Sequence, residues 1–468
     1  MLRKLFMGAV LALWAVAAGV AAAAPPNIVV MLTDDQRWDS LGFVQRSQPD
    51  GRFPFLKDAT PNIDRIAAGG VWFNNAFTVD SLCSPSRAAF LTGQYNHTNG
   101  ITNNVMPLPV TTRTYATLLR AAGYRTGYFG KWHMGEQVER PGFDVHASYV
   151  GQGVYVDCPF LVNGVLTPTT GWVDDITADH AVRFIRESGE TVQPFLAVVG
   201  FKTSHGPYDA TSKPAWTNTL FRTVVEDTPP NAYSFPPYIA NPLPSDVVGE
   251  MYRNYFRQIT AMDQAVGRVL AALDEAGVAD DTIVVFASDN GYHLREHGSY
   301  NSIVRDGEKR TAYEASLRIP LLLRYPRLIA GGRTIPAQVL NIDLAPTLIN
   351  LAGLPAAAGM QGKSWVPLLR GTATSLRTGF FYEYFRNVNT PLVPRIVAFR
   401  RSQWKLITYP DYPEYGRELY NIRLDPWERT NRIADPTAKT PLDSLSAALA
   451  TATAQLNYRI PPGADPQR

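Results

Sequence analysis

From residue 27 to about residue 368, short apolar runs alternate with longer stretches in which apolar positions recur every three or four residues. The short runs at 28–32, 71–77, 125–129, 195–199 and 283–287 read as strands, those at 28–32, 195–199 and 283–287 being unbroken. Helical stretches open at Thr60-Pro61, Thr114, Thr177 and Asp343, each on a capping-type residue, and the longest covers 252–276. Strands alternating with helices predict an α/β fold with a mainly parallel sheet flanked by helices. The stretch 206–246 holds Pro229, Pro230, Pro236, Pro237, Pro242 and Pro244 and reads as a long surface excursion.

Past residue 368 the pattern changes. Segments 379–384, 395–400 and 404–409 read as short antiparallel strands, followed by a turn-rich stretch at Asp425-Pro426 and a helix near 442–456. This divides the chain into a large domain over 25–368 and a small C-terminal α+β subdomain over 369–468. The other end is different again. Arg3 and Lys4 precede an apolar run that closes on four alanines, Ala21 to Ala24, before Pro25-Pro26. Basic start, apolar centre and small-residue exit make 1–24 a secretory signal peptide. The run is also long enough to span a bilayer, but its Ala-rich second half favours cleavage over retention as an anchor. The mature chain is therefore expected to be exported, periplasmic or secreted, with no stable membrane span.

Composition is that of a globular protein, 45% apolar and 18% charged over 468 residues. Residues 1–24 hold two basic residues and no acidic one, so removing them leaves 42 basic residues against 41 acidic. That balance, without any basic run, argues against nucleic acid as a partner. The two cysteines are Cys83 and Cys158. A bond between them would consume the thiol that the motif below requires, so Cys158 reads as unpaired and structural.

Open α/β sheets bind ligands at the carboxyl ends of their strands. Those ends carry Asp34-Asp35, Lys131 and His133, His205, and Asp289-Asn290. Asp34, Asp35, Asp289 and Asn290 offer only oxygen, which suits a hard divalent cation, Ca²⁺ or Mg²⁺, over zinc. Cys83-Ser84-Pro85-Ser86-Arg87 continues through Ala88-Ala89-Phe90 to Leu91-Thr92-Gly93, that is C-x-P-x-R followed by x-x-x-L-T-G. Two further stretches carry chemistry: Gly123-Tyr124-Arg125-Thr126-Gly127-Tyr128-Phe129-Gly130-Lys131-Trp132-His133 and Lys202-Thr203-Ser204-His205-Gly206-Pro207. A third runs from Lys309-Arg310-Thr311-Ala312-Tyr313-Glu314 to Arg318-Ile319-Pro320.

Together these stretches resemble the signatures of the type I, formylglycine-dependent sulfatases, and the resemblance spans nearly the whole mature chain. It implies an alkaline-phosphatase-like fold. It also implies that a formylglycine-generating enzyme oxidises Cys83 to an aldehyde (3-oxoalanine), whose hydrate attacks the sulfur of a sulfate monoester. By the same resemblance a divalent cation is held by Asp34, Asp35, Asp289 and Asn290 with residue 83 beside it. Lys131 and Lys309 bind the sulfate, and Arg87 adds positive charge. His133 hydrogen-bonds the hydrated aldehyde, and His205 is either the leaving-group acid or a sulfate ligand. Departures are small: Phe129 is bulkier than usual before Gly-Lys, and Ser204 stands where the loop carries Pro. His293 and His297 lie beside the metal pair and could serve the site or brace its loop. The stretches 309–320 and 291–294 are most similar to glucosamine-6-sulfatases and related glycosaminoglycan sulfatases, which implies a sulfated carbohydrate or aryl sulfate as substrate. Two other readings stand beside it: a phosphate or phosphonate ester hydrolase of the same superfamily, and a sulfated-glycan-binding protein that has lost catalysis.

Overall fold

The computed structural model describes residues 24–48, 51–239, 249–298, 309–386 and 392–464. The leader expected over 1–24 thus lies, all but its last residue, outside the described residues, as does the end of the proline-rich excursion.

Five parallel strands form the centre of a ten-stranded sheet: β1 (Asn27–Thr33), β2 (Arg125–Lys131), β3 (Val145–Tyr149), β4 (Phe195–Gly200) and β5 (Thr282–Ser288), in the spatial order β5-β1-β4-β2-β3. Antiparallel neighbours extend both edges: Leu321–Arg324 on β5, and Phe160–Val162 on β3. The continuous apolar runs have a direct explanation. Ile28, Val30 and Leu32 of β1, with Leu196, Val198, Ile283 and Val285, pack into one core. Val29 and Met31, with Ala197, Val199, Val284 and Phe286, pack into another on the opposite face. Successive side chains of a strand point to opposite faces, so a sheet covered on both sides needs apolar residues at every position. Helices Val173–Gly189 and Glu250–Glu275 cover the second face, and Cys83–Thr92, Tyr115–Ala121 and Leu344–Leu351 cover the first.

Two expectations are corrected. The apolar run 71–77 is two strands: Val71–Phe73 joins the large sheet, whereas Ala76–Phe77 pairs with Val339–Leu340. A turn at Asn74 and Asn75 separates them, where two side chains suited to turns interrupt the ladder. The helix expected to open at Thr177 begins instead at Val173, with Asp174 and Asp175 in its first turn, where carboxylates complement the helix dipole. The starts at Thr60, Thr114 and Asp343 agree, Thr114 and Thr117 forming a reciprocal capping pair.

After the large sheet, Gly379–Tyr384, Ile396–Arg401, Trp404–Thr408 and Arg417–Asn421 form a four-stranded antiparallel sheet that packs with helix Lys439–Gln455. The fourth strand was not expected from the sequence. The small sheet's contacts with the large domain are internal: Phe77, Leu82, Tyr313 and Leu317 share one core with Phe380, Tyr382, Val397 and Leu419. Glu314 receives two hydrogen bonds from Arg400, at 2.8 and 2.9 Å, across the same join.

Candidate active site

Four of the five central strands, β1, β2, β4 and β5, deliver the sequence-predicted site residues at their carboxyl ends. β1 ends at Thr33 and leads into Asp34 and Asp35; β2 ends on Lys131, followed two residues later by His133; β4 leads into Lys202 and His205; β5 leads into Asp289 and Asn290. All are buried except His205, which is partly exposed. Gly130 lets β2 and β4 close up here. Its φ is +86°, and a Cβ on it would lie 2.1 Å from the carbonyl oxygen of Gly200. The bulky Phe129 packs against Phe184, its ring over Gly127, which has no Cβ to collide with it.

Cys83 is the first residue of its helix, fully buried and unbridged. Its Sγ lies 3.2 Å from Oδ1 of Asp34 and 3.0 Å from Nζ of Lys309. Lys309 also donates to both carboxylate oxygens of Asp35, at 2.6 and 2.8 Å, and Lys131 pairs with Oδ2 of Asp34. One helical turn beyond Cys83, Arg87 donates from Nε to Oδ2 of Asp289 at 2.9 Å and from Nη1 to the carbonyl of Lys131 at 2.9 Å. Asn290 donates to Oδ1 of Asp35 at 2.7 Å. Cys83, Arg87, Lys131, Lys309 and the acidic group thus meet in one place. His205 approaches Oδ2 of Asp35 to 3.9 Å, and His133 is buried with no partner at Nδ1 among the described residues.

The electrostatics follow from this packing. Burial alone would raise Asp34, but Lys131, His205, Lys309 and Arg87 outweigh it and hold its carboxyl well below the usual range. Asp289 goes the other way, pushed up to about 7 by burial and by the charge of Asp34. Burial, reinforced by Asp34, pushes the Cys83 thiol up to about 12. Burial and nearby lysine charge hold His133 and His205 well below the usual imidazole value.

The donor set fits a hard divalent cation. Carboxylate oxygens of Asp34, Asp35 and Asp289 lie within 4.8 Å of one another, as do ligand atoms of Asp34, Cys83 and His205. Oδ1 of Asn290 is buried with no hydrogen-bond partner among the described residues, a costly state that a bound cation would relieve. His293 and His297 are tied elsewhere. His293 faces the carbonyl of Glu296 and the hydroxyl of Thr311, each at 3.2 Å; His297 faces Ser234 and Asn231 and stacks on Tyr313 at 3.7 Å. They brace the loop. Two residues outside the expected set do reach the site. Gln152 accepts from Lys131, and Lys202 is held between the carbonyl of Gln152 and the ring of Tyr155. Gln152 lies in no recognisable motif, and Lys202 stood in the sequence only as the opening residue of the His205 loop.

The sulfatase family profile matches residues 26–354, and the profile described as N-sulphoglucosamine sulphohydrolase, C-terminal, matches 297–455. The N-acetylglucosamine-6-O-sulfatase of Bacteroides thetaiotaomicron is 29% identical, over 87% of this chain and 82% of its own. The ulvan-active sulfatase of Formosa agariphila is 27% identical over 92% and 81%. A solved structure of an enzyme in complex with its substrate D-glucosamine-2-N,6-O-disulfate superposes with a TM-score of 0.81 at 26% identity, covering 94% of this chain and all of that one. With its sheet, its strand-end site and both halves matched, the chain belongs to the sulfatase family and is a sulfuric ester hydrolase.

Proposed function

We propose that this enzyme removes sulfate from sulfated sugars, using an aldehyde made from Cys83 and a divalent cation, Ca²⁺ or Mg²⁺, held by Asp34, Asp35, Asp289 and Asn290 beside it. One observation carries the reading: Cys83 lies between a carboxylate of the acidic cluster and the ammonium of Lys309, at 3.2 and 3.0 Å. A thiol in that place is a poor nucleophile, because burial keeps it protonated. The aldehyde, once hydrated, supplies two hydroxyls on one carbon, which no encoded side chain offers. When bound by these residues, the cation would supply Lewis-acid polarisation of the sulfate and would lower the pKa of the attacking hydroxyl.

The protein's own groups do the rest. A sulfate monoester and its transition state concentrate negative charge on the nonbridging oxygens, so Lys131 and Lys309, with Arg87 behind them, are the groups to hold it. Arg87 also fixes Asp289 and the end of β2 relative to the helix of Cys83. His133, whose Nδ1 has no partner among the described residues, is placed to hydrogen-bond residue 83 once modified. His205, at the partly open side, protonates the departing sugar oxygen, taking up its proton when the anionic sulfate binds beside it and offsets the burial and lysine charge that hold its pKa down. Similarity to the N-acetylglucosamine-6-O-sulfatase and to the disulfated-glucosamine complex supports a sulfated amino sugar as substrate. Residues 1–24 support export, with maturation by a formylglycine-generating enzyme, and the catalytic body is taken to end near residue 368. The deciding experiment assays a panel of sulfated sugars, sulfated phenols and phosphate and phosphonate esters for released sulfate, phosphate or alcohol, with Cys83→Ala as blank. Preference for a sugar 6-sulfate is the expected result; turnover of phosphate or phosphonate esters alone would overturn it.

A further inference from the structure

Gln152 sits in a tight loop just past β3, between Gly151 and Gly153, whose φ values are +57° and +61°. The loop is pressed onto the strand: a Cβ on Gly153 would lie 2.5 Å from the ring of Tyr149 and 3.1 Å from Sγ of Cys158. From this loop Gln152 reaches two site lysines. Its Oε1 accepts from Nζ of Lys131 at 2.5 Å, and its backbone carbonyl accepts from Nζ of Lys202 at 2.8 Å. Three residues on, Tyr155 places its ring 4.9 Å from Nζ of Lys202 and donates its hydroxyl to the carbonyl of His205. One short segment therefore touches Lys131, Lys202 and His205, and brings no charge of its own.

The amide has a direction. A lysine ammonium can only donate, so the oxygen of Gln152 must face Lys131 and the NH₂ group must face elsewhere. Among the described residues that NH₂ donates to no protein atom, and the side chain is half-buried beside the lysine. A neutral donor next to an ammonium suits a tetrahedral anion, whose neighbouring oxygens each accept without a further full charge being desolvated.

We propose that Gln152 is a substrate-binding residue of the sulfate pocket. Its NH₂ donates to a sulfuryl oxygen, while its side-chain oxygen and backbone carbonyl aim Lys131 and Lys202 at the same group. The inference rests on the sulfatase reading for its ligand.

Two substitutions separate this from simple anchoring of Lys131. Gln152→Glu keeps an acceptor for Lys131 and strengthens it, but removes the donor and sets a negative charge against the sulfate. Gln152→Ala removes both functions. In aldehyde-bearing, metal-loaded enzyme, Gln152→Ala should lose roughly tenfold in kcat/KM on nitrophenyl sulfate, and Gln152→Glu roughly a hundredfold or more. The inhibition constant of inorganic sulfate should rise in the same order, with melting temperatures close to wild type. Gln152→Glu at or above wild type, or better than Gln152→Ala, overturns the proposal. The stabilisation of the protein by added inorganic sulfate reads the same contact without turnover: wild type should respond and Gln152→Glu should not, and equal responses also overturn it. Sulfate binding that depends on Gln152 in a wild type that hydrolyses no sulfate ester would defeat the functional reading and leave this inference standing. Should Gln152→Glu fail to fold, Gln152→Met carries the test, and unchanged sulfate affinity in that variant overturns the proposal.

Discussion

Nζ of Lys309 lies 3.0 Å from Sγ of Cys83, although 226 positions separate the two in the chain. The same ammonium donates to both carboxylate oxygens of Asp35, so one lysine ties the reacting position to the acidic cluster. Burial works against that charge, but Asp35, Cys83 and Asp34 outweigh it and hold the Lys309 ammonium above its ordinary range. It is a fixed cation at any working pH.

Modification of Cys83 should be indispensable. With burial and Asp34 pushing the thiol up to about 12, protein left as the thiol should fold normally, bind metal and lose roughly 10³-fold or more in sulfate release. Peptide mass spectrometry on the same samples reports the aldehyde fraction, and rate should track it. Sulfate ester turnover in thiol-only protein would exclude the aldehyde.

Asp289→Asn should lower bound Ca²⁺ or Mg²⁺ and the rate together, while the melting temperature of the metal-free protein changes little. Its oxygens face Arg87, Asp35 and Asn290, so the variant weakens the cation site and the arginine at once. Elemental analysis before and after chelation is the check. Zinc in the native protein, or full rate after confirmed metal loss, would remove this site from the mechanism.

His205→Ala distinguishes proton donation from sulfate binding. A nitrophenolate leaves unaided, whereas a sugar alkoxide does not, so the variant should damage a sugar 6-sulfate roughly a hundredfold more than nitrophenyl sulfate. Lys309→Ala is the comparison, because a group that binds only the sulfate should slow both substrates alike. Equal losses for His205→Ala would move the acid role to His133.

A pH-dependent contribution to stability is expected from His97. Its ring faces two acceptors, Oε2 of Glu383 at 2.6 Å and the carbonyl of Leu456 at 3.2 Å, so both nitrogens donate and the ring is held as the cation. Burial pulls its pKa down, but Glu383 and the carbonyl of Leu456 outweigh that and leave it raised. A raised value means the stabilisation is complete below the unfolded pKa of about 6.5 and is lost as pH rises through the folded value. His97→Gln should therefore cost about 1–3 kcal/mol at pH 6 and less at pH 9, read as the difference between melting curves at the two values. A constant difference would show that the pair contributes packing only.

The sequence alone determined the fold class, four of the five central strands (Val145–Tyr149 was not read) and the charged groups that the strand ends gather, Lys202 excepted. Both signals are local: buried parallel strands read as unbroken apolar runs, and C-x-P-x-R or G-K-W-H is a short covalent neighbourhood. Thr114 and Asp343 opened helices as read. Thr177 did not, since a residue of capping type is also tolerated inside a buried helix, and the two acids before it carried the true start. The strand Arg417–Asn421 and the hairpin of Phe160–Val162 with Val165–Thr167 escaped because short strands lack enough positions for a period to show. Only tertiary structure decided who meets whom. Arg87 finds Asp289 across 202 positions, and Asn290 is left with an oxygen unpartnered among the described residues, because the sheet order brings the ends of β1, β2, β4 and β5 together. Gln152 is the clearest case: an uncharged residue between two glycines carries no signal in the chain, and acquires one where the fold sets two lysines against its oxygens.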